Sequence, residues 1–466
     1  MNKFQKDLTK GSVAKHLILF SLPFLASNFL QSLYNMSDMF FVGRFNGAVG
    51  ATAVGVGGQI TVLVMHLISG LAVGGTVLIA QFIGAKREDD VKRTVGTIFT
   101  LYGAGAIVLT VVMLIADRFI LRALVSDPLA YPETLKYTNI CMSGLIFIFG
   151  YNAVSAVLRG MGDSKHPLMF VAIASVLDIG MNALFCGVFH WGAAGAAWST
   201  VIAQGLSFLM AVWFLRRQKF IFDFSPKSFR VDKDIAKQLL RIGLPTSIGG
   251  TTVGLSFITL TGVANSIAGI VGTTALSVTG KVNSVAILPA FAMQASVSSM
   301  AGQNLGAKKY KRALQTSLTA MGITLSVTLP VMLLVRTYAV PITRFFLGSD
   351  GGLDPIVAQA CVEQGAVYIR SISWDYIIVA GTFNIIGLAL AAGHTKFTLG
   401  TSLFSSIVAR IPVAWLLGKT LGMGLMGMGY AVPITSSLVL LIDVIYLISK
   451  KWQKSKVMGH LEMTVE

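Results

Sequence analysis

The stretch Gln-Phe-Ile-Gly-Ala-Lys at residues 81–86 returns as Gln-Asn-Leu-Gly-Ala-Lys at residues 303–308, 222 positions later. The same offset relates Leu-Pro at 22–23 to Leu-Pro at 244–245. Later matches keep an offset of 231 or 232, and they are Tyr137 with Tyr368, Gly162 with Gly393, Lys165 with Lys396, and Gly192 with Gly424. A nearly constant offset over the whole chain predicts two homologous halves.

The composition indicates a membrane protein. Hydrophobic residues make up 54% of the 466 residues and charged residues only 12%, whereas soluble domains carry about 25% charged residues. The mean hydropathy is +0.73, and 48 glycines would let helices pack closely. A soluble enzyme, a disordered chain and a nucleic-acid-binding module are therefore poor fits. We predict an all-α polytopic membrane protein, with room for about 12 helices at roughly 20 residues per span.

Apolar runs bounded by charged, Gly or Pro breaks predict twelve transmembrane helices. The predicted spans are 16–42, 50–80, 92–116, 134–158, 166–189, 193–215, 238–264, 272–302, 312–336, 362–391, 397–418 and 425–449. The predicted parts are an N-terminal lobe 1–215, a cytoplasmic linker 216–237, a C-terminal lobe 238–449 and a cytoplasmic tail 450–466. Because each lobe holds an even number of spans, we expect a pseudo-twofold axis along the membrane normal.

The positive charge predicts the orientation of the chain. Of the 37 Lys and Arg residues, 27 fall on the side of both termini, seven on the opposite side and three inside spans. The positive-inside rule therefore places both termini in the cytoplasm, with the protein in the cell membrane (inner or plasma). The charge lies in short connections and not on one soluble domain, so we expect the lipid bilayer and no nucleic acid as a partner. We expect a monomer.

Three motifs resemble those of the multidrug and toxic compound extrusion (MATE) family. They are Tyr-Asn-Met-Ser-Asp-Met-Phe-Phe-Val-Gly at 34–43, Gly-Ala-Lys at 84–86 with its duplicate at 306–308, and Arg-Gly-Met-Gly-Asp at 159–163. The resemblance covers essentially the whole chain. It implies an antiporter that exports small amphiphilic, often cationic, organic compounds in exchange for a cation by alternating access.

Two carboxyl groups lie inside predicted spans of the first half, where an ionisable side chain is costly and therefore a candidate for function. Asp178 lies about 18 Å into span five at helical rise, near the middle of the bilayer. Asp38 lies in span one, and the resemblance implies that it binds the coupling ion. The Lys and Arg residues of spans one to six, Lys92, Arg93 and Lys136, lie at span ends and not near the middle of the bilayer. The pair is therefore predicted to share a proton or to hold Na⁺, and no other metal ion is expected.

The family resemblance implies further members of an ion site. Tyr34 matches its tyrosine, Thr200 its threonine and Asn152 one of its amides. A second family asparagine falls here on Ala174, and Asn182, one turn after Asp178, is the predicted substitute. This departure from the family pattern favours protons over Na⁺ as the coupling ion.

The second half carries different charges inside its spans: Lys281, Arg370, Asp375 and Arg410. We predict that Lys281 pairs with Asp375, and that Arg370 and Arg410 reach the interface or pair structurally. Lys281, Asp375 and Arg370 are also candidates for a substrate cleft. Asp443, near the end of the last span, is predicted to be interfacial.

Competing functions remain open. A lipid-linked oligosaccharide flippase of the same superfamily would use the cationic side chains of the second half. A channel would need a filter, and no such motif occurs. An enzyme is disfavoured because the six histidines form no spaced pair and no nucleophile motif is present. The three cysteines show neither a disulfide framework nor metal-ligand spacing, and no cofactor is expected.

Overall fold

The computed structural model describes residues 4–124, 128–218, 220–347 and 354–457. Lys3, Lys219 and residues 458–466 of the predicted tail lie outside this part of the chain. The α-helices are α1 Val13–Gly84, α2 Glu88–Leu124, α3 Ala130–Ser143, α4 Leu145–Gly160, α5 Lys165–Asn182, α6 Gly192–Arg217, α7 Lys233–Ala286, α8 Leu288–Gly306, α9 Tyr310–Thr337, α10 Ala339–Leu347, α11 Pro355–Ile372, α12 Asp375–Ala391, α13 Thr395–Leu403, α14 Ile411–Trp415 and α15 Gly424–Ile448. Short π-helical segments follow α5, α13 and α14, and no strand occurs in the described residues.

The helices account for twelve membrane crossings. Eight are long and apolar enough to span, and two bent pairs, α3 with α4 and α11 with α12, raise the total to ten. Helix α1 has 72 residues, about 108 Å at helical rise, and is broken at Gly47. Helix α7 has 54 residues and is broken at Ala268 and Gly269. Each therefore supplies two crossings, the second half of α7 continuing into α8. The predicted all-α polytopic fold is confirmed.

The internal repeat is visible in the backbone, because residues with positive φ recur at the offsets that the sequence shows. The pairs are Gly47 with Gly269, Lys86 with Lys308, Gly162 with Gly393, His190 with Gly422, and Gly192 with Gly424. Gly47 has φ 61° and ψ −154°, and Gly269 has φ 55° and ψ −138°. An L side chain rarely adopts this conformation. One glycine break thus divides spans one and two, and its duplicate divides spans seven and eight.

The repeated Gly-Ala-Lys motif ends a helix. At the end of α1 the Arg87 amide donates to the Phe82 carbonyl at 2.9 Å and the Lys86 amide donates to the Ile83 carbonyl at 3.0 Å. These bonds are the two of a Schellman motif, which requires a left-handed residue at the position of Lys86. Lys86 has φ 60° and Lys308 has φ 57°. Both halves therefore place a strained lysine where glycine is usual.

The Arg-Gly-Met-Gly-Asp motif begins a helix. Asp163 Oδ1 accepts hydrogen bonds from the amides of Lys165 at 2.9 Å and His166 at 3.3 Å. These are free amides at the start of α5, which the carboxylate therefore caps. Burial alone would raise the pKa of Asp163, but the hydrogen bond and charge of His166, together with Lys6, hold that pKa below its ordinary value. The loop between α4 and α5 is fixed in this way.

The chain forms two compact units. One comprises Met1–Leu8 and Leu22–Ser247, and the other comprises Thr9–Ser21 and Ile248–Glu466. Close approach of helices within the first unit depends on small residues. A Cβ on Gly160 in α4 would lie 2.8 Å from the Ile79 Cβ and 2.9 Å from the Thr76 carbonyl oxygen of α1. The first unit also contains Asp38 and Asp178, which the sequence selects as ion-coupling residues.

Candidate ion-coupling site

Asp38 of α1 and Asp178 of α5 lie together inside the first unit. Asn182 joins them, because its amide nitrogen donates to both carboxyl groups. Asn182 is four positions after Asp178 and 144 positions after Asp38. The distances are 2.5 Å to Asp38 Oδ1 and 3.0 Å to Asp178 Oδ2. The exposed fractions of the two acids are 3% and 2%, and that of Asn182 is 0%. One buried amide thus bridges two buried carboxyl groups.

Helix α6 completes the site with hydroxyl groups. Ser199 donates to Asn182 Oδ1 at 2.9 Å, which orients the amide so that its nitrogen faces the acids. Thr200 donates to Asp38 Oδ2 at 3.2 Å. Cys186 also approaches the Asn182 carbonyl oxygen, with its sulfur at 3.9 Å. The amide of Asn182 therefore has partners at both ends and is held in one orientation.

Two side-chain hydrogen bonds join helices α1 and α6 at the site. Thr200 contacts Asp38, and one turn later Gln204 Nε2 donates to the Tyr34 hydroxyl at 3.3 Å. The residue number rises along α6 as it falls along α1, so the two helices run antiparallel here. Spans one and six have opposite directions in the predicted topology, which agrees with this contact. Tyr34 is hydrogen-bonded to Gln204 beside the network and forms no hydrogen bond with either carboxyl group.

The site holds more negative charge than its donors can satisfy. Asp178 Oδ1 is buried and has no hydrogen-bond partner. Neither Asp38 nor Asp178 forms an ion pair with any residue of the described ranges. An ionised carboxylate without a counter-charge is very costly in an apolar interior. A proton or a cation at the pair would offset this cost.

The helix geometry changes next to the carboxyl pair. Helix α5 ends at Asn182, and a π-helical segment, Ala183–Val188, follows directly. A π-helical turn is wider than an α-helical turn and often occurs at functional sites. The duplicate span contains a π-helical segment at Leu416–Thr420, close to the offset of 232. The altered helix geometry is thus a feature of both halves, whereas the carboxyl pair belongs to the first.

The structure brings together most of the predicted site and separates one member. Asp38, Asp178, Asn182 and Thr200 form one network, and Tyr34 lies at its edge. Asn152 is different, because its amide donates to the Ile148 carbonyl of its own helix at 2.8 Å. Sequence reasoning did not select Ser199 or Gln204. Gln204 was detectable, since it lies one turn after Thr200 and therefore on the same face of the helix.

The charged residues of the second half do not form the expected pair. Lys281 is exposed and forms no ion pair with Asp375, which is buried at the first turn of α12. The prediction of this pair was wrong, because depth along a span does not determine which face of the helix a residue occupies. Arg370 lies at the end of α11, where it donates to the Arg336 carbonyl at 3.3 Å. Arg336 in turn covers the Trp374 ring at 4.5 Å.

Two other charges of the second unit are buried. Arg410 is 7% exposed, lies 5.2 Å from the centre of the Phe257 ring and has hydrogen-bond partners for neither Nε nor Nη1. Asp443 is 0% exposed, and neither of its carboxylate oxygens has a hydrogen-bond partner. The expectation of an interfacial Asp443 was wrong, because its face of α15 is covered by protein and not by lipid headgroups or water.

Comparison with known proteins decides the family. The family model MatE matches the chain twice, over residues 23–184 and 245–416. The two matches begin 222 positions apart and end 232 apart, as the internal repeat requires. The chain belongs to the MatE family. It is a multi-pass membrane transporter and not an enzyme, and the resemblance seen in the sequence motifs is confirmed.

Relatives of this MatE protein include a probable multidrug resistance protein, YpnP, of Bacillus subtilis, which is 30% identical over 91% of this chain and 94% of the relative. The probable multidrug resistance protein NorM of Thermotoga maritima is 24% identical over 96% of this chain and 94% of the relative.

Two solved structures show the same fold. An outward-facing multidrug resistance MATE family transporter has a TM-score of 0.89 at 20% identity and covers 98% of this chain and 99% of its own. A transporter of the MOP superfamily from Pyrococcus furiosus, described as having a binding pocket of reverse polarity, has a TM-score of 0.88 at 21% identity over 97% of both chains. At these identities the likeness concerns the fold alone.

Proposed function

We propose that this MATE protein is a multidrug efflux antiporter that exports small amphiphilic, often cationic, organic compounds in exchange for protons. Family membership and the names of its relatives support efflux of drugs. The observation that supports coupling is the buried pair Asp38 and Asp178, which shares the single amide of Asn182 and leaves one carboxylate oxygen unpaired.

The chemistry of the donors favours protons over Na⁺. A hard cation binds oxygen ligands, preferably several. Here Asn182 turns its nitrogen toward both carboxyl groups, and its oxygen accepts from Ser199. Thr200 also donates to Asp38 and does not offer its lone pairs there. Two N–H groups and one O–H group directed at the acids would repel a cation, whereas a proton on either carboxyl group completes the network.

Protonation would change the relative energies of the two access states. A pair that shares one proton completes the network with the donors of Asn182 and Thr200, so it favours the conformation in which this network is intact. When a second proton enters from outside, the remaining carboxylate loses its charge and the network weakens. A state with different drug affinity is then populated, which is the requirement for coupled exchange. We place both termini in the cytoplasm of a cell-membrane protein, as the charge distribution indicates.

Efflux from proteoliposomes tests the proposal. The purified chain is reconstituted with a cationic dye inside, and a pH gradient or a Na⁺ gradient is imposed, one at a time. We expect the pH gradient alone to drive dye efflux. Asp38→Asn and Asp178→Asn should each abolish gradient-driven efflux while the protein elutes as a single folded species. Full activity in either variant, or efflux that responds only to Na⁺, would contradict proton coupling at this pair.

A lipid-linked oligosaccharide flippase is the second candidate, because the second unit contains a buried cation. Arg410 has two nitrogen atoms without hydrogen-bond partners, and a pyrophosphate group would satisfy them. This candidate predicts tight binding of a lipid-linked oligosaccharide that Arg410→Gln weakens. The antiporter predicts that cationic dyes bind instead, and that Arg410→Gln leaves dye binding nearly unchanged.

A further inference from the structure

A cavity lies within the second unit, at the end of the last helix. Its volume is about 700 Å³, within the range of small-molecule sites, roughly 300–1,000 Å³. Phe397, Ile442 and Ile445 line one side. Lys451, Lys454 and Lys456 line the other, and no acidic side chain is among the described residues that form the wall. The cavity is therefore apolar on one side and cationic on the other.

The apolar side is built by α15. Ile442, Ile445, Tyr446 and Ser449 all line the cavity and follow the spacing of one helix face. The ring of Phe397 stacks on that of Tyr446, with centroids 4.2 Å apart and planes at 15°. The same side continues beyond the cavity, because Ile445 is 68% exposed. An exposed isoleucine on a membrane-spanning helix faces the acyl chains of the bilayer.

The segment that carries the lysines is held by backbone groups and by the Trp452 side chain, and the hydrogen bonds that fix it do not use the lysine ammonium groups. His394 Nε2 donates to the Lys454 carbonyl at 3.0 Å, and its Nδ1 hydrogen-bonds with the Tyr446 hydroxyl at 2.8 Å. The Lys456 amide donates to the Ala392 carbonyl at 3.0 Å. Trp452 is 1% exposed, and its indole N–H donates to the Leu447 carbonyl, which stabilises the turn after α15.

The three lysines carry unbalanced positive charge. Each is exposed, and none forms an ion pair with a residue in the described ranges. His394 adds no charge near neutral pH, because burial lowers its pKa below the usual value. Three ammonium groups beside an apolar wall fit a ligand that has an anionic head and a hydrocarbon chain. Basic pockets at the cytoplasmic ends of transmembrane helices recognise phospholipid headgroups in this way.

We propose that this cavity binds an anionic phospholipid of the cytoplasmic leaflet, with the headgroup phosphate among Lys451, Lys454 and Lys456 and an acyl chain along Phe397, Ile442 and Ile445. The choice of leaflet rests on the orientation given under the proposed function, whereas binding itself does not. The lipid would fill the space beneath the α12–α13 turn and fix the end of α15. It is a ligand distinct from the exported compound and from the coupling ion.

Native mass spectrometry of the full-length protein tests the site. The protein is equilibrated in detergent with phosphatidylglycerol and phosphatidylcholine in competition, and retained lipid is counted. The cavity variant exchanges Lys451, Lys454 and Lys456 for Gln. The matched control exchanges the exposed lysines Lys227, Lys233 and Lys237 for Gln, which removes the same charge elsewhere in the chain.

We expect the wild-type protein and the control to retain phosphatidylglycerol selectively. The cavity variant should bind it about fivefold less tightly per lysine removed, on the order of 100-fold in total. The structural hydrogen bonds of this segment use its backbone, so the variant should fold normally. Ile445→Gln, which makes the apolar wall polar, should also weaken retention of the lipid.

Four results would overturn the proposal. They are equal loss of lipid in the cavity variant and the control, equal retention of both lipids by the wild type, displacement of the lipid by millimolar inorganic phosphate, and a gain of lipid binding when the chain is ended at Val457. The first two indicate general surface adsorption, the third a phosphate site, and the last the chain's own tail as the occupant. Asp38→Asn should abolish efflux without changing lipid retention, so this proposal and the antiport mechanism can fail independently.

Discussion

The exchange of Asn182 for leucine tests the centre of the candidate site. It keeps the side-chain volume nearly constant and removes the donor that the two acids share, at 2.5 Å from Asp38 and 3.0 Å from Asp178. A hydrogen bond to a charged group contributes about 1.5–3 kcal/mol. Since about 1.4 kcal/mol corresponds to one pH unit, loss of this donor should make the pair bind protons at a pH higher by about one to two units.

The assay is dye efflux from proteoliposomes over a series of external pH values at a constant pH gradient. We expect the midpoint of the Asn182→Leu profile to move to higher pH by that amount. Ser199→Ala removes only the hydrogen bond to the Asn182 side-chain oxygen. It should move the midpoint in the same direction by a smaller amount. Asn152→Leu is the control, because the Asn152 amide bonds to its own helix at Ile148 and not to the acids.

The outcome separates the observed network from the family pattern. A shift of equal size in Asn152→Leu and Asn182→Leu would refute the view that only Asn182 serves the carboxyl pair. An unchanged midpoint in Asn182→Leu, in protein that still elutes as one folded species, would show that the two acids do not depend on this amide. Either result would remove the structural basis for proton coupling that is proposed above.

Three further changes test how the fold supports the site, each by thermal unfolding of the purified protein. Lys86→Gly should raise the free energy of unfolding by about 1 kcal/mol relative to Lys86→Ala, because only glycine relieves the left-handed strain at φ 60°; equal stability of the two variants would contradict this. Gly160→Ala should cost about 1–3 kcal/mol because its Cβ would overlap α1, whereas Gly103→Ala, with nothing within 4 Å, should cost little. Asp163→Ala should lower stability by about 1 kcal/mol at neutral pH. Because the pKa of Asp163 is lowered in the folded protein, the difference from wild type should persist above about pH 4 and disappear as the pH falls through the folded pKa; a difference that grows in acid would be inconsistent with the cap.

Much of the candidate site was predictable because an ionisable group inside an apolar span is rare and costly. That rule makes Asp38 and Asp178 candidates, together with the charged residues of the second half, and the family resemblance singles out the first pair and adds Tyr34 and Thr200. Asn182 was predicted as a substitute from its position one turn after Asp178, and the structure makes it the residue that bridges both acids. Ser199 could not be selected in this way, since a serine inside a helix more often bonds to its own backbone.

The errors have one common cause. Lys281 and Asp375 were paired from their depth in the membrane, and Asp443 was assigned to the interface from its position near a span end. In the structure Lys281 is exposed and Asp443 is completely buried. The position of a residue along a helix gives its depth, but burial depends on which neighbouring helix covers that face. No feature of a single span contains that information.

The sequence by itself determined the fold class, the number of crossings and the duplication, because these follow from apolar length, charge in the connections and a fixed offset between local motifs. Even the backbone breaks at Gly47 and Gly269 lie at that offset. Only the tertiary structure decided that three separate helices bring Asp38, Asp178, Asn182 and Thr200 into contact, and that a cationic cavity forms at the end of α15. Such contacts depend on the packing of helices far apart in the chain, whereas periodicity and composition describe each helix alone.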